Sequence, residues 1–373
     1  MNISSKIIWS NRSGDQISWF HPRACVTDNP GHIFMTLQRI GGSDFYGPLH
    51  QSVSFDGGHS WSNPEPVPGC QWKPLGNGIH EGICDVVPEY HAPTRTILAI
   101  GHNVYYKDGA LFDSLGDWSA NTGPQLNRFP VWGIQDSEGK WIIIRKKLEI
   151  PECENCMIYS CGSSQRQFQG KDEVLIPFTC GKSGIRERNV FSALFHYDGK
   201  ELTCIRRGNT LHLPFRRGLL EPSIIRWKDR CLLTMRAEDG CGYRAESEDG
   251  LTWQKLTPWS FDDGNILETS TTQQHFLELG GRLFLIYTRN AGTNSHIWRF
   301  RAPLYITEVN DDFNLVRSSE QIVFPMIPEG DKAAGMGNFH PAKLDERRAI
   351  VTVGEERYFQ EYHGDTLCAM LQL

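Results

Sequence analysis

The sequence predicts an all-β protein and, within that class, a six-bladed β-propeller. A two-stranded hairpin recurs along the chain, and no segment keeps the 3.6-residue period of a helix. The 36 glycines, 20 prolines and 11% aromatic residues suit many short strands that are joined by tight turns. Residues 1–373 are assigned to one domain, because all-β folds of this length often form a single unit.

The recurring unit is an apolar strand, a Gly or Asp turn, and a second apolar strand that ends in a polar residue. Six copies are found, at residues 21–39, 82–103, 129–147, 219–240, 270–290 and 337–356. Further hairpins lie between them, and two hairpins make the four-stranded blade of a propeller. Residues 104–128 and 148–190 fit the unit poorly, so seven blades stay open beside six.

Lone strands are predicted at both ends of the chain, at residues 5–10 (SKIIWS) and 365–373 (DTLCAMLQL). A last blade that borrows the N-terminal strand would close the ring and leave no sheet edge exposed. We therefore expect the N-terminal strand to complete the final blade.

Composition disfavours several classes of function. The net charge is -6 and there is no run of Lys or Arg, so no nucleic-acid partner is predicted. No stretch approaches the roughly 18 apolar residues of a membrane span, and the N-terminus lacks the apolar core of a signal peptide. These observations favour a cytoplasmic protein without a membrane partner; they say nothing about its oligomeric state.

The 11 cysteines are then expected to be reduced thiols instead of a disulfide framework. Cys153, Cys156, Cys161 and Cys180 begin like a metal site. Structural zinc sites usually repeat a tight C-x2-C pair, however, and this group does not. Buried or loop thiols are the favoured interpretation, and neither a metal nor a cofactor is predicted.

Two turns share a signature, SFDGGHSW at residues 54–61 and SEDGLTW at residues 247–253. Asp56 and Asp249 can accept hydrogen bonds from backbone amides of the turn, where Gly58 and Gly250 allow the tight geometry. Trp61 and Trp253 can pack between strands. These residues are expected to have a structural role.

The two turns resemble the Asp-box, S-x-D-x-G-x-T-W, of sialidases and related BNR-repeat glycosidases. The segments LLEPSII and CLLTMRAEDG, which precede the second turn, are similar to the central blade of that family. RACVTD at residues 23–28 is similar to the segment of the family's first arginine. The resemblance covers most of the chain and implies a sialidase-like propeller whose active site lies on the rim opposite the Asp-boxes.

The start of each first strand and the end of each second strand should meet on one rim, because neighbouring strands of a blade run antiparallel. Starts supply His21, Arg23, Asp85, Trp132, Glu221, Gln273 and His340. Ends supply Arg39, His102, Arg145, Arg236, Tyr287, Arg289 and Glu355. So many charges near an axis would repel one another unless they bind a ligand, so we expect a substrate site there.

The resemblance implies an exo-acting glycoside hydrolase for a small acidic sugar or oligosaccharide whose carboxylate is held by arginines. Carried over, the arginine triad would be Arg23, Arg236 and Arg289. Glu221 would be the base for a tyrosine nucleophile, with Tyr287 as candidate and Tyr358 and Tyr362 as rivals from the last blade. Asp85, or Asp44 in GGSDFYG, would be the acid/base. Further substrate contacts are assigned to His21, His80, Arg39, Arg145, Gln273, His340 and Glu355.

The histidines leave the reaction open. His21, His80, His102 and His340 have no place in the sialidase pattern, and His80 and His102 flank one hairpin. A uronic-acid lyase or hydrolase that uses a His/Tyr acid–base pair, with His102 among its catalytic residues, is one alternative. A non-catalytic carbohydrate-binding propeller is another.

Overall fold

The computed structural model describes residues 1–112, 126–153, 156, 158–160, 165–182 and 185–373, and of Glu152 and Ile158 the backbone alone. The fold is almost entirely β, with 3% helix, and its sheets form a six-bladed propeller, which confirms the predicted fold class. The helices in the described ranges are single 3-10 turns at Pro151–Cys153, Trp298–Phe300, Arg317–Ser319 and Tyr358–Gln360. None of these is long enough to cross a membrane.

The first strand of the chain, β1 (Asn2–Trp9), belongs to the last blade and is described with it. Blade 1 contains, from the axis outward, β2 (Trp19–Val26), β3 (Ile33–Gly42), β4 (Phe45–Ser54) and β5 (Glu65–Pro66). Blade 2 is larger. Its strand β6 (Lys73–Gly76) pairs with the innermost strand β7 (Ile79–His91), which is followed outward by β8 (Thr96–Lys107), β10 (Pro130–Gln135) and β11 (Trp141–Lys147), while β9 (Ala110–Leu111) extends β8.

Blade 3 places two short strands, β12 (Ile158–Ser160) and β13 (Gln167–Gln169), against β14 (Glu173–Gly181), followed by β15 (Asn189–Tyr197) and β16 (Leu202–Arg207). Blade 4 consists of β17 (Leu220–Trp227), β18 (Arg230–Arg236), β19 (Gly242–Ser247) and β20 (Thr257–Pro258). Blade 5 consists of β21 (His275–Leu279), β22 (Arg282–Thr288), β23 (Leu304–Val309) and β24 (Gln321–Phe324).

Blade 6 follows a small hairpin of β25 (Pro328–Glu329) and β26 (Lys332–Ala333). It contains β27 (Gly335–Met336) and β28 (His340–Lys343), both paired with β29 (Arg348–Glu356), and then β30 (Thr366–Gln372). Strand β1 pairs antiparallel with β30 from Asn2 opposite Gln372 to Trp9 opposite Thr366. The N-terminal strand is therefore the outermost strand of blade 6.

One repeat was assigned to the wrong place in a blade. Residues 129–147 form β10 and β11, the outer hairpin of blade 2, and not the inner hairpin of a blade of their own. The inner hairpin of blade 3 is β13–β14, within the region that fitted the repeat poorly. Strand β10 is buried on both faces along its whole length, as the innermost strand β2 of blade 1 nearly is, so its apolar sequence looks like that of an inner strand.

Apolar side chains fill the spaces between neighbouring blades. One cluster joins blades 5 and 6 through Phe284, Ile306 and Val351, and another joins blades 2 and 3 through Trp132 and Phe178. Similar clusters lie at the other interfaces. Each fully buried side chain of this kind contributes about 1.5–3 kcal/mol, so the interfaces hold the blades in a fixed ring.

The two S-x-D turns connect the third and fourth strands of blades 1 and 4. Asp56 accepts hydrogen bonds from the backbone N–H of Ser60 and from the hydroxyls of Ser54 and Ser60. Asp249 accepts equivalent bonds from the N–H groups of Leu251 and Thr252 and from the Ser247 hydroxyl. Trp253 is buried and donates to Ser192 of the preceding blade. Both turns therefore stabilise the rim on which they lie, at the opposite strand ends from the site described next.

Candidate active site

Three inner strands carry the same backbone irregularity near the axis. In β2, β7 and β17 one extra residue is inserted relative to the neighbouring strand, between Phe20 and Arg23, between Cys84 and Val87, and between Leu220 and Ser223. The inserted segments begin at His21, Asp85 and Glu221, whose φ angles are 51°, 51° and 47°. Such β-bulges redirect a side chain out of the sheet, and here they send three functional groups toward the axis.

A pocket of about 290 Å³ opens at this end of the axis. Its lining includes six arginines, Arg128, Arg188, Arg217, Arg236, Arg299 and Arg301. It also includes four carboxylates, Asp44, Asp85, Glu221 and Glu356. The pocket thus has two more cationic than anionic side chains, although the whole chain carries a net charge of -6. This local excess favours an anionic ligand.

Blades 4, 5 and 6 contribute a basic wall. Arg236 donates to Glu221 and, at 2.5 Å, to the carbonyl of Thr271, and its side chain is 9% exposed. Arg301 lies 3.3 Å from Glu356. Burial, together with Arg217 and Arg301, lowers the pKa of Arg236 against the opposing effect of Glu221. Several guanidinium groups are therefore close enough to act on one ligand.

Blades 1 and 2 contribute the opposite wall, which is centred on Asp85. Its Oδ1 atom lies 3.0 Å from Nη2 of Arg23 and 3.3 Å from Nδ1 of His21. Asn338 donates to Nε2 of His21 at 3.0 Å, so the imidazole proton is on Nδ1 and faces Asp85. Burial lowers the pKa of His21 to about 4, although Asp85 opposes this shift. A neutral histidine and a buried arginine therefore hold the Asp85 carboxylate in place.

His102 lies beside this wall and has unused hydrogen-bonding capacity. Burial is the main cause that lowers its pKa to about 4; Arg128 acts in the same direction, and Asp85 acts against it. The Nδ1 atom of His102 is buried and has no hydrogen-bond partner in the described structure. A neutral imidazole with a free ring nitrogen can accept a proton from a bound substrate or water.

Asp44, in the turn between β3 and β4, and Tyr46, near the start of β4, complete this wall. The Tyr46 hydroxyl donates to Asp44 Oδ1 at 3.5 Å, and its ring packs against His21 with ring centres 4.4 Å apart. Burial raises the pKa of Tyr46 well above its usual value, and the nearby Asp44 adds to the shift. Tyr46 is therefore a neutral phenol, while the exposed Asp44 faces the opening.

Five predicted catalytic or binding residues line the pocket: Asp44, Asp85, His102, Glu221 and Arg236. Others lie directly behind it. His21 and Arg23 are buried against Asp85, and Gln273 Oε1 lies 3.5 Å from Arg23. His340 lies deeper, next to His275 at 5.8 Å between ring centres. These residues support the wall from below.

The predicted arginine triad does not converge. Arg23 is fully buried beneath Asp85, and only Arg236 of the three lines the pocket. Arg289 forms a two-point ion pair with Glu320, and the Tyr287 hydroxyl donates to the same carboxylate at 2.7 Å. Arg289 and Tyr287 therefore belong to the packing of blade 5 and lie away from the axis.

The remaining predicted residues also lie elsewhere. Glu355 is buried and accepts from Arg12 and from the N–H of Asp365, whereas its neighbour Glu356 faces the pocket. Arg145 is on the outermost strand of blade 2 and pairs with Glu81. The other four, which do not line the pocket, are the exposed Arg39, the half-buried His80, and Tyr358 and Tyr362.

Several pocket residues were not predicted from the sequence. Trp298, Arg299 and Arg301 come from the loop between β22 and β23, and Arg217 from the loop that precedes β17. The segment WRFR, residues 298–301, lies in this loop and places two arginines beside two aromatic residues. A search restricted to strand ends passes over it.

One group of three potential metal ligands converges within the described ranges. Ligand atoms of His21, Cys84 and Asp85 all lie within 4.8 Å of one another. Arg23 is already 3.0 Å from the Asp85 oxygen, however, and its charge would repel a cation at that point. The arrangement fits an ion pair better than a metal site.

The predicted cysteine group is only partly described. Cys153 and Cys180 lie in the apolar cluster between blades 2 and 3, and Cys156 packs against that cluster. Hydrogen bonds from Cys153 and Cys180 lower the pKa of Cys156. Cys161 lies outside the described residues.

Solved structures with this fold are found at low sequence identity. A protein of unknown function from Dyadobacter fermentans DSM 18053 has 15% identity, a TM-score of 0.68, and coverage of 100% of this chain and 99% of its own. No protein-family model and no curated protein sequence matches the chain.

Sialidases are among the other structural neighbours. The Trypanosoma rangeli sialidase bound to the inhibitor DANA has 13% identity and a TM-score of 0.62, with 99% of this chain and 59% of its own covered. The Hadza microbial sialidase Hz136 has 12% identity and a TM-score of 0.64, with coverage of 99% and 68%. The chain thus spans about three fifths of the Trypanosoma rangeli protein. At these identities the likeness establishes a sialidase-like propeller fold.

Proposed function

We propose that the protein is a glycoside hydrolase that acts on a sugar carrying a carboxylate. One observation carries this proposal: the axial pocket has a basic wall of arginines facing a wall of acid–base groups. Arginines bind a carboxylate through paired hydrogen bonds, so Arg236, Arg299 and Arg301 would hold the acidic group. The glycosidic bond would then lie against Asp44, Asp85 and His102. Arg23 and Gln273 are buried behind Asp85, and this filled side of the pocket favours an exo-acting enzyme.

Two carboxylates serve the chemistry of this hydrolysis. Asp44 lies at the opening, where it would donate a proton to the glycosidic oxygen as the bond from that oxygen to the anomeric carbon breaks. Asp85, held by Arg23 and His21, would lie beneath the ring and stabilise the positive charge that develops there. A water molecule then attacks the anomeric carbon and gives its proton to Asp85 or His102.

The pocket departs from the sialidase pattern at the nucleophile. Among the described residues Tyr46 is the one tyrosine in the lining, and its hydroxyl is directed to Asp44 and not to Glu221. Glu221 is paired with Arg236 instead. We therefore assign Glu221 to orienting the arginine wall, and we do not assign a tyrosine nucleophile.

A second candidate reaction, elimination from a uronic acid, is favoured by His102. Its free Nδ1 atom would remove the proton α to the carboxylate, and the electron pair would form a double bond as the bond to the leaving oxygen breaks. That oxygen would take a proton from Asp44 or Tyr46. The arginine wall would stabilise the charge on the carboxylate during this step.

The test compares products from matched substrates. Aryl sialosides, aryl uronides and uronic-acid oligosaccharides are incubated with the protein, and aryl release and the absorbance of an unsaturated product are followed. Hydrolysis releases the free acidic sugar without the absorbance of an unsaturated uronate, and elimination gives an unsaturated uronate. Absence of turnover across the whole panel would contradict both candidate reactions.

The proposed role of Asp44 as the acid can be tested through the dependence of the rate on the leaving group. Asp44→Asn should slow substrates with poor leaving groups by at least a hundredfold, and should affect dinitrophenyl glycosides far less, because these leave without protonation. Arg39→Gln, at an exposed arginine away from the pocket, is the matched surface control and should retain activity. Equal loss on both kinds of substrate would remove Asp44 from the acid role.

A further inference from the structure

The arginines of the pocket differ in whether they have a carboxylate partner. Arg217 pairs with Glu238, Arg236 with Glu221 and Arg301 with Glu356. Arg128 and Arg299 have no hydrogen bond to a carboxylate and no ion pair anywhere in the described structure. Among the described residues, these two arginines of the lining therefore have no paired carboxylate.

These two arginines lie on opposite sides of the axis. Arg128 directly precedes β10 and belongs to the wall of blade 2, beside His102. Arg299 is in the loop between β22 and β23 and belongs to blade 5, beside Arg236. Blades 2 and 5 face each other in a six-bladed ring, so the two groups enter the pocket from opposite walls.

Each arginine is in an environment that is unfavourable without a ligand. The Nη2 atom of Arg128 is buried and has no hydrogen-bond partner among the described residues. A buried polar group without a hydrogen bond lowers the stability of a protein. An anion that accepts from this atom would remove that penalty.

Arg299 is held in place before any ligand binds. Its guanidinium stacks on Trp298 at 4.1 Å, and its backbone has a φ of 57°. Burial, together with the neighbouring Arg236, lowers the pKa of Arg299 to about 10. The stacking leaves the N–H edges of the guanidinium free for a planar oxyanion.

We infer that the substrate is a saccharide with two anionic groups, one bound at Arg299 and the second at Arg128 on the opposite wall. This inference rests on the proposed function, in which the pocket holds an acidic sugar. The first anion is the carboxylate of that sugar. The second is another oxyanion, either the carboxylate of an adjacent acidic sugar or a sulfate ester.

Calorimetric titration of the whole protein tests the inference without requiring turnover. The probes are glucuronate with one charge, and as dianions a glucuronate disaccharide and a sulfated glucuronate. We expect at least one dianion to bind tenfold or more tightly than glucuronate. The dianion that gains this affinity identifies the second group as carboxylate or sulfate. Equal affinities for all three probes would overturn the inference.

Variants assign the two charges to the two walls. Arg128→Gln should reduce the affinity for the favoured dianion about tenfold and leave glucuronate within twofold, and Arg128→Lys should recover part of the loss. Arg299→Gln should weaken glucuronate and the dianion alike. Arg39→Gln should change neither. If Arg128→Gln weakened the binding of both probes equally, or of neither, the second subsite would be absent. A melting temperature near that of the wild type shows that each variant is folded.

Different results would contradict the hydrolase activity and the second anion subsite. A dianion preference that depends on Arg128, in a protein that cleaves no acidic glycoside, would support the subsite and contradict the hydrolase. Cleavage of singly charged glycosides with no preference for dianions would support the hydrolase and contradict the second subsite.

Discussion

Two arginine–glutamate pairs lie near the ends of equivalent strands, but only one of them belongs to the site. Arg236 ends β18 and pairs with Glu221 in the pocket. Arg289 follows β22 and pairs with Glu320, which precedes the outermost strand of blade 5. Each lies at or just after the end of the second strand of its blade, and the sequence pattern predicts the same role for both. One position along a strand thus separates an arginine that lines the pocket from one that packs within a blade.

The physical cause is the alternation of side chains along a strand. Arg236 is the seventh residue of β18, and the seventh residue of β22 is Thr288. Thr288 turns inward and donates to Thr272, while Arg289, one residue later, is directed outward and stacks on Tyr305 at 4.6 Å. A shift of one residue moves a side chain to the other face of the sheet.

The same shift recurs in two other blades. In blade 1 the inward position is Gln38, which is buried, whereas the predicted Arg39 is exposed. In blade 6 the pocket residue is Glu356, whereas the predicted Glu355 is bonded to Arg12 on the other side. Identifying a strand end is therefore insufficient unless the face is also known.

The largest effect is expected from the two matched arginine substitutions. Arg236→Gln should lower kcat/KM by about 10²–10³-fold on the acidic glycoside of the panel that is turned over, because it removes a preorganised charge from the pocket. Arg289→Gln should leave kcat/KM within about twofold. It should instead lower thermal stability, because the 12%-exposed Glu320 loses its partner. Steady-state kinetics and melting curves are measured for both variants. Similar losses of activity in Arg236→Gln and Arg289→Gln would contradict the different roles assigned to these arginines.

Acidic pH should lower the free energy of unfolding of the protein through the histidine His102 in the pocket. His102 titrates near pH 4 in the folded protein but near 6.5 when unfolded, so below about pH 6.5 the unfolded state binds more protons. The difference between these two pKa values stabilises the folded protein by about 3 kcal/mol. This contribution is complete above pH 6.5 and is lost as the pH falls toward 4. His102→Asn should reduce this pH dependence in urea unfolding curves. Arg289→Gln should leave the slope unchanged, and an unchanged slope in His102→Asn would contradict the assignment.

A smaller effect is expected at Tyr287, which sequence reasoning proposed as the nucleophile. Its hydroxyl bonds to Thr307 at 2.6 Å and to Glu320 at 2.7 Å inside blade 5. Tyr287→Phe should lower the free energy of unfolding by about 2 kcal/mol, because Glu320 loses a buried hydrogen bond, and should leave kcat unchanged. Tyr305→Phe, in the same layer, is the control and should change stability by less than about 0.5 kcal/mol. Loss of turnover in Tyr287→Phe would instead support a catalytic role for Tyr287.

The sequence was sufficient for the fold and for part of the site. Repeated hairpins predict a propeller, since few other folds need the same unit so many times. The bulge residues could be located because a polar residue interrupts an apolar strand at His21, Asp85 and Glu221. Trp298 and Arg299 could not be placed, since an irregular loop has no period from which its direction follows. The wrong placement of the hairpin at residues 129–147 has another cause: β10 is as fully buried as an inner strand, so its sequence does not show its place in the blade.

The three bulges also bear on how such a protein can change over evolutionary time. Each places one side chain outside the hydrogen-bonded ladder, and the residues at these positions are a histidine, an aspartate and a glutamate. Asp85 and Glu221 reach the pocket, whereas His21 lies beneath it and contacts Asp85 across the interface of blades 1 and 2. A substitution at the Asp85 or Glu221 bulge would alter the chemistry of the pocket, while the hydrogen-bonded ladder on either side keeps its register.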